Sequence, residues 1–412
     1  MQTISPKDRE ILRELAAHKV SLAHDTRNAE ILKMWQNQAK GVRDTPTVRL
    51  LFSNFTHEVI GNRLRCEGDD ARRLEWSLLS SMVGRDLFND DTPISDTFDV
   101  GLFTHVTPFR SNANLHHAEG SMGFHIEPIT DDIEADIEMF LGGHFGADPD
   151  GTKAFCAYAD EIFGDILPSR IIQGSLRGDI TNPLVMRIGL ENYYMAMYDS
   201  PEALHRIMDE ATKVYERYYD YLEQNQLLLP TNGFSPVAQE SFAFTDELPA
   251  EGPIHSTSQL WGFLESQETT ATSPETYGEF VYPYQDRLVK RFGLLSYGCC
   301  ERVDAIWEDY LSKWDNLRKL SVSPFNNEPQ IGEYLRGTRV VYYSKPRAEY
   351  VTNAGPLDEE GILAYFKGVA EAASGCLFEV AQREVGTIFG DYERGRRYVE
   401  LAKEAIARYW KP

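Results

Sequence analysis

The sequence predicts an α/β protein built on an eight-stranded (β/α)8 TIM barrel with an N-terminal helical addition. Short apolar runs bounded by Gly, Pro, Ser or Asn recur through the second half of the chain, as strands buried on both faces do. Between them lie stretches whose apolar residues repeat at helical spacing, so strand and helix alternate as in a parallel sheet with helical cover. At 412 residues, 42% hydrophobic and 25% charged, the chain is large enough for one big barrel core. A doubly wound open sheet is the alternative. No G-x-G-x-x-G loop follows any strand, which weakens it.

In chain order, residues 1–40 read as charged helix with Ile11, Leu12, Leu15 and Ala16 on one face. Residues 47–53 form a candidate first strand. Residues 60–90 are helical again, burying Leu64, Leu74, Leu78, Leu79 and Met82. This divides the chain into a helical addition, 1–100, and a barrel, 101–412. Residues 101–106 are the alternative for that first strand, and further candidate strands follow at 169–176, 227–233, 260–267, 293–299, 317–324, 338–345 and 376–381. Ser273-Pro274-Glu275 reads as an N-cap with proline in the first turn of a helix carrying Tyr277, Phe280, Val281, Tyr284 and Leu288. Val303, Ile306, Tyr310, Leu311 and Trp314 mark a second helix, and Ile362, Tyr365, Phe366, Val369 and Ala370 a third. Residues 238–258 are polar and acidic and read as a mobile lid. Residues 105–130, with His105, His116, His117 and His125 among glycines and asparagines, read as a loop or strand pair folded over the barrel mouth.

A net charge of -23 argues against nucleic acid as a partner. No apolar stretch is long enough to span a bilayer, and the first ten residues lack a basic region followed by an apolar core. Five cysteines, an odd number, speak against a disulfide scaffold and for a reducing, cytoplasmic setting. Oligomeric state, a homo-oligomer included, is left open.

In a barrel the chemistry sits at the carboxyl ends of the strands. Reading those ends yields Asn232, Glu265, Gln267, Glu268, Cys299, Cys300, Glu301, Asn326, Asn327 and Lys345, with Cys376 and Glu379 just inside the last strand. Thiols and a carboxylate gathered this way suit a soft divalent metal such as zinc, with a position left open for substrate. The plain alternative is that Cys299, Cys300 and Cys376 are small buried hydrophobes. Glu301 reads equally as a helix cap and Asn326 as a turn residue.

The runs Ser258-Gln259-Leu260-Trp261-Gly262-Phe263, Ser273-Pro274-Glu275, Tyr284-Gln285 and Tyr297-Gly298-Cys299-Cys300-Glu301 resemble the uroporphyrinogen decarboxylase superfamily, in its cysteine-bearing members from anaerobic bacteria. The likeness covers roughly residues 155–410. It implies a (β/α)8 barrel and one of two activities. One is that of zinc-dependent methyltransferases, which exchange a methyl group between a corrinoid and a thiol. The other is that of decarboxylases, which use no cofactor. The methyltransferase pattern is His-x-Cys at one strand end and a second Cys near the last strand. Cys299 and Cys376, 77 residues apart, match the two cysteines, and Tyr297 stands where the histidine belongs.

The resemblance therefore implies zinc on Cys299, Cys376 and either Cys300 or Glu301. Catalytic roles fall to Glu301, Lys345, Gln267 and Asn232. Substrate contacts fall to Tyr297, Asn326, Glu265, His117 and His125. The substrate is a small thiol or a methoxy or methylamine compound, and the corrinoid arrives on a partner protein, since no Asp-x-His-x-x-Gly occurs here. The alternative is a metal-free decarboxylase or lyase acting on a carboxylated, tetrapyrrole-like substrate with Lys345 and the rim carboxylates. The decarboxylases' Arg-Gln-Ala-Gly-Arg motif is missing from Val48-Arg49-Leu50-Leu51-Phe52-Ser53-Asn54.

Overall fold

A computed structural model describes residues 4–117 and 123–412. Two N-terminal helices, Pro6–Ala23 and Thr26–Ala39, begin where Ser5 and Asp25 accept the orphan N–H groups of Asp8 and Asn28. The strands that carry the fold are β1 (Thr47–Leu50), β2 (Phe98–Gly101), β3 (Ser169–Ile172), β4 (Leu176–Arg177), β5 (Trp261–Leu264), β6 (Leu294–Tyr297), β7 (Leu317–Val322), β8 (Val341–Ser344) and β9 (Leu377–Gln382). Seven of them form one sheet in the order β1-β9-β8-β7-β6-β5-β4, every pair parallel. β2 and β3 form a separate parallel pair.

The first strand thus pairs with the last, so the sheet takes in Thr47–Leu50 from the region expected to be a helical addition. Among the described residues no ladder joins β1 to β2. The free edge of β1 is satisfied by side chains instead: Val48 N–H donates to Asp91 at 2.8 Å and Leu50 N–H to Asp90 at 3.1 Å. Lys403, at 2.8 Å, and Arg27 balance the Asp91 charge. An edge that would otherwise expose its N–H groups is therefore closed by carboxylates.

Period-two alternation divides each strand between two faces. Val48, Leu50, Leu264, Leu295, Tyr297, Leu320, Tyr342, Phe378 and Val380 pack outward against the helices in the main core. The paired positions on the other face are far more polar: Arg49, Arg177, Ser296, Lys319, Ser321, Tyr343 and Glu379 share it with Trp261, Phe263, Leu294, Val341 and Ala381.

Residues 232–248 lie along this inner face. They form a small antiparallel hairpin, Gly233–Pro236 with Phe242–Ala243. Val237, Ala243 and Leu248 pack on Trp261 and Leu294, while Ala238 packs on Leu51, Tyr343 and Ala381. Ser241 Oγ donates to Glu379 at 2.6 Å and accepts from Lys319 Nζ at 2.7 Å; Lys319 and Glu379 meet at 2.7 Å, both nearly inaccessible to solvent. The front of the expected lid is therefore buried filler. The expected strand at 227–233 is irregular, because Pro230 lacks a donor and Gly233 sits at φ +94°.

Among the described residues no helix is long and apolar enough to cross a membrane. Truncating Lys319 to Ala leaves the Glu379 carboxylate buried without its partner and is expected to cost about 3–5 kcal/mol in urea unfolding. Replacing both, Lys319→Met with Glu379→Leu, should recover most of that loss. Equal losses in the single and double variants would show that the pair is not what holds the hairpin.

Candidate functional site

Gly298 creates the site. It stands directly after β6 at φ +98°, a left-handed conformation suited to glycine, and an added Cβ would lie 3.2 Å from Ser321 Cβ. The turn breaks strand alternation, so Tyr297 faces the helices while Cys299 and Cys300 face the carboxyl rim of the inner face. The turn is then pinned by side chains from β7 and the loop after it. Ser321 Oγ donates to Cys299 O at 2.8 Å, Ser323 Oγ to Cys300 O at 3.0 Å and Asn326 Nδ2 to Glu301 O at 3.2 Å.

The two sulfurs lie 3.7 Å apart, Cys299 buried and Cys300 partly exposed. Cys300 is shifted below the usual thiol range, first by the hydrogen bond from Cys299 and also by the Lys345 charge. That same hydrogen bond, with burial, pushes Cys299 up. Lys345 Nζ lies 3.4 Å from the carbonyls of Gly298 and Cys299 and donates to Gln239 at the tip of the inner hairpin; burial lowers its pKa. Gln239 Nε2 in turn donates to Glu265 at 2.7 Å, and Glu265 accepts from Arg177 at 3.2 Å.

Arg383, just beyond β9, points NH1 at Cys299 Sγ from 3.8 Å and lies 3.6 Å from the Glu384 carboxylate. Glu301 accepts Ser266 N–H at 2.8 Å and Cys299 N–H at 2.6 Å. Burial, reinforced by Cys299 and Glu265, nevertheless pushes its carboxyl up to about 8. Burial likewise raises Asp179, beside Arg177, to about 7.

The rim therefore gathers Glu265, Cys299, Cys300, Glu301 and Lys345. Cys376 lies elsewhere. It lies just before β9, at the opposite end of that strand from the rim, faces outward into the core, and donates to Gly332 O at 3.4 Å. The six-residue strand from Leu377 to Gln382 separates it from Arg383 and Cys299, a span of about 20 Å. Burial raises its pKa to about 11.

Tyr297 hydrogen-bonds Ser266, Tyr277 and Gln285 behind the sheet, so its side chain does not face the rim. Asn232 ties Thr245 and Leu248 at the amino-terminal side, away from the thiols. Asn326 holds the Cys299–Glu301 turn and Asp304 N–H, so it positions the turn from behind. Gln267 opens a one-turn helix beyond Glu265 and makes no side-chain hydrogen bond to the site among the described residues. His125 is exposed on the hairpin of Asn114–His117 with Phe124–Glu127, which packs on the helix Thr181–Ile188. His116 pairs with Glu127 at 2.8 Å. His117 contributes backbone to this hairpin, and the tip of the expected lid, 118–122, lies outside the described residues.

Arg383, Gln239, Arg177 and Asp179 complete the site and are not among the residues the sequence pattern singles out. Arg177 and Asp179 follow a strand end and were detectable there. Arg383 lies two residues beyond the apolar run 376–381, and only the continuation of β9 to Gln382 carries it to the rim.

The donor set does not fit the zinc centre that the resemblance implies. Cys376 is at the other end of the sheet, both Glu301 oxygens face backbone N–H groups, and the thiols border two cationic side chains. Among the described residues no group of three His, Cys, Asp or Glu is arranged to hold a metal ion.

No family model and no curated protein matches the chain. Among solved structures, a methyltransferase from Methanosarcina mazei is similar over 91% of this chain and 98% of its own, with a TM-score of 0.54 and 12% identity. The chain shares its fold with a methyltransferase. At that identity the likeness extends to architecture and not to individual side chains.

Two outcomes test the electrostatics. Iodoacetamide is expected to alkylate Cys300 before Cys299 or Cys376, and Cys299→Ala should slow Cys300 severalfold by removing its thiol donor; peptide mapping reads both. Faster alkylation in that variant would refute the assignment. Unfolded Asp179 ionises near its ordinary 3.8, whereas the folded chain holds the proton to about 7. Its contribution is complete below about pH 4 and lost as pH rises through 7. Asp179→Asn should therefore narrow the difference in thermal midpoint between about pH 5 and about pH 8. An unchanged difference contradicts the shift.

Proposed function

We propose that this chain is a uroporphyrinogen decarboxylase-like barrel enzyme that transfers a methyl group between a small substrate and a corrinoid carried on a partner protein. The observation that carries the reading is the rim itself: two adjacent thiols beside Lys345 and Arg383, at the carboxyl ends of β6, β8 and β9. The shared fold with a solved methyltransferase and the sequence resemblance support it.

Lys345 and Arg383 hold the anionic end of the substrate and favour the thiolate over the thiol when the reacting atom is sulfur. The Glu265–Gln239 bridge orients Lys345, while Ser321, Ser323 and Asn326 keep the thiols at the mouth. The substrate sulfur attacks the methyl carbon in line, and the donor leaves with the bonding pair. A corrinoid, when docked, supplies or receives that methyl group. No step is routed through zinc.

A metal-free lyase is the second reading, favoured by one observation. The buried Oδ1 of Asp179, beside Arg177, has no hydrogen-bond partner among the described residues, and burial raises this carboxyl to about 7, so it is placed to carry a proton near neutral pH. On loss of carbon dioxide, the electron pair left on carbon would take that proton.

The test incubates the protein with methylcobalamin and small thiols bearing a carboxylate or sulfonate, following loss of the cobalt–methyl absorbance. Lys345→Met and Arg383→Met are each expected to lower the rate about 100-fold. Rates that match wild type in both variants, or carbon dioxide release from carboxylated substrates without methyl loss, would reject methyl transfer.

A further inference from the structure

We infer that Cys299 and Cys300 form a two-electron thiol–disulfide couple, closing to a vicinal disulfide by exchange with a small-molecule disulfide that enters the rim. Four observations carry it. The sulfurs are already 3.7 Å apart, and a bond requires about 2.0 Å, so the two atoms must approach by less than about 2 Å to close the eight-membered ring that adjacent cysteines form. The left-handed Gly298 begins the turn that presents them. Cys300 is reachable from solvent while Cys299 lies behind it, the arrangement of an attacking and a resolving thiol. Arg383 NH1 stands over Cys299 Sγ and Lys345 beside the Cys299 carbonyl, so one negative charge on the sulfur pair is favoured, carried by Cys300 with Cys299 as its hydrogen-bond donor. The remaining neighbours, Glu265, Glu301 and Glu384, are carboxyl groups, and Glu301 is held largely neutral at pH 7. None of the other three cysteines has this setting: Cys66, Cys156 and Cys376 are buried without a second thiol at hand.

The exchange balances. Cys300 thiolate attacks one sulfur of the incoming disulfide, giving a mixed disulfide and one free thiolate. Cys299 then loses its proton to that thiolate and attacks the Cys300 sulfur, and the second small thiolate leaves. Two protein thiols lose two electrons and two protons, and the small disulfide becomes two thiols. Closure removes both thiols from the rim. In the methyl-transfer reading this disables the mouth of the site, but the exchange itself does not depend on that reading.

The experiment treats the reduced full chain with oxidised glutathione and maps peptides by mass. Wild type is expected to lose two hydrogens across Cys299–Cys300 and to carry no glutathione there. Cys299→Ser should stop at one glutathione on Cys300. Cys300→Ser should react at least tenfold more slowly, and circular dichroism should report the same fold in all three. Dithiothreitol should reverse each product. Stable glutathione on wild-type Cys300, an unreacted pair, or a Cys300→Ser protein as fast as Cys299→Ser would overturn the inference. Because no methyl donor is present, failure here leaves the methyl-transfer assay untouched, and failure there leaves this one intact.

Discussion

Lys319 on β7 and Glu379 on β9 face one another across the intervening β8 on the inner side of the sheet, with Ser241 of the inserted hairpin completing the contact. A buried ion pair stabilises only when its remaining donors and acceptors are satisfied. That requirement is met by the hairpin, by Gln38 at 3.3 Å and by the Trp35 ring 5.2 Å beneath the ammonium. The constraint runs outward from there. The hairpin must lie along the inner face, its apolar members must match Trp261, Leu294 and Tyr343, and its tip must emerge at the rim.

The emergence of that tip links stability to chemistry. Gln239 reaches Lys345 and Glu265 because Ser241, two residues on, is held by the ion pair. Tyr343 Oη donates to Gln239 O at 2.7 Å and Arg49 donates to Glu240 O, and Glu240 adopts φ +64°, so the tip is held from both strands. Strain of this kind persists only where the surroundings over-determine it. The position of Lys345 over the thiol turn is therefore a property of the whole inner face and not of one loop.

The same arrangement accounts for the mismatch with a zinc centre. A soft-metal site needs its donors on one face and at one end of the sheet. Cys299 meets both conditions, and Cys376 meets neither, since it precedes its strand and shares the outward phase of Phe378 and Val380. With Lys345 and Arg383 beside the thiols, the rim is organised for negatively charged sulfur and anionic partners.

Much of the fold was legible in the residues. The runs that became β5 to β9, the helices over 274–289 and 359–372, and the polar rim at 265, 299–301 and 345 follow from burial on both faces and helical periodicity, which are local properties. Face and end were not legible. Tyr297 and Cys299 look like neighbours on one side until Gly298 takes a left-handed turn, and Cys376, at the start of the last strand, is kept from the rim by the six residues of Leu377–Gln382. The segment 238–258 reads as a lid because it is polar and acidic, yet the partners of its Gln239 and Ser241, namely Glu265, Lys345, Lys319 and Glu379, lie 26 to 138 residues away. Composition and spacing determine which segments are buried and which carry chemistry. Only the pairing of distant strands decides which polar groups neutralise one another, because that choice rests on contacts the local sequence does not contain.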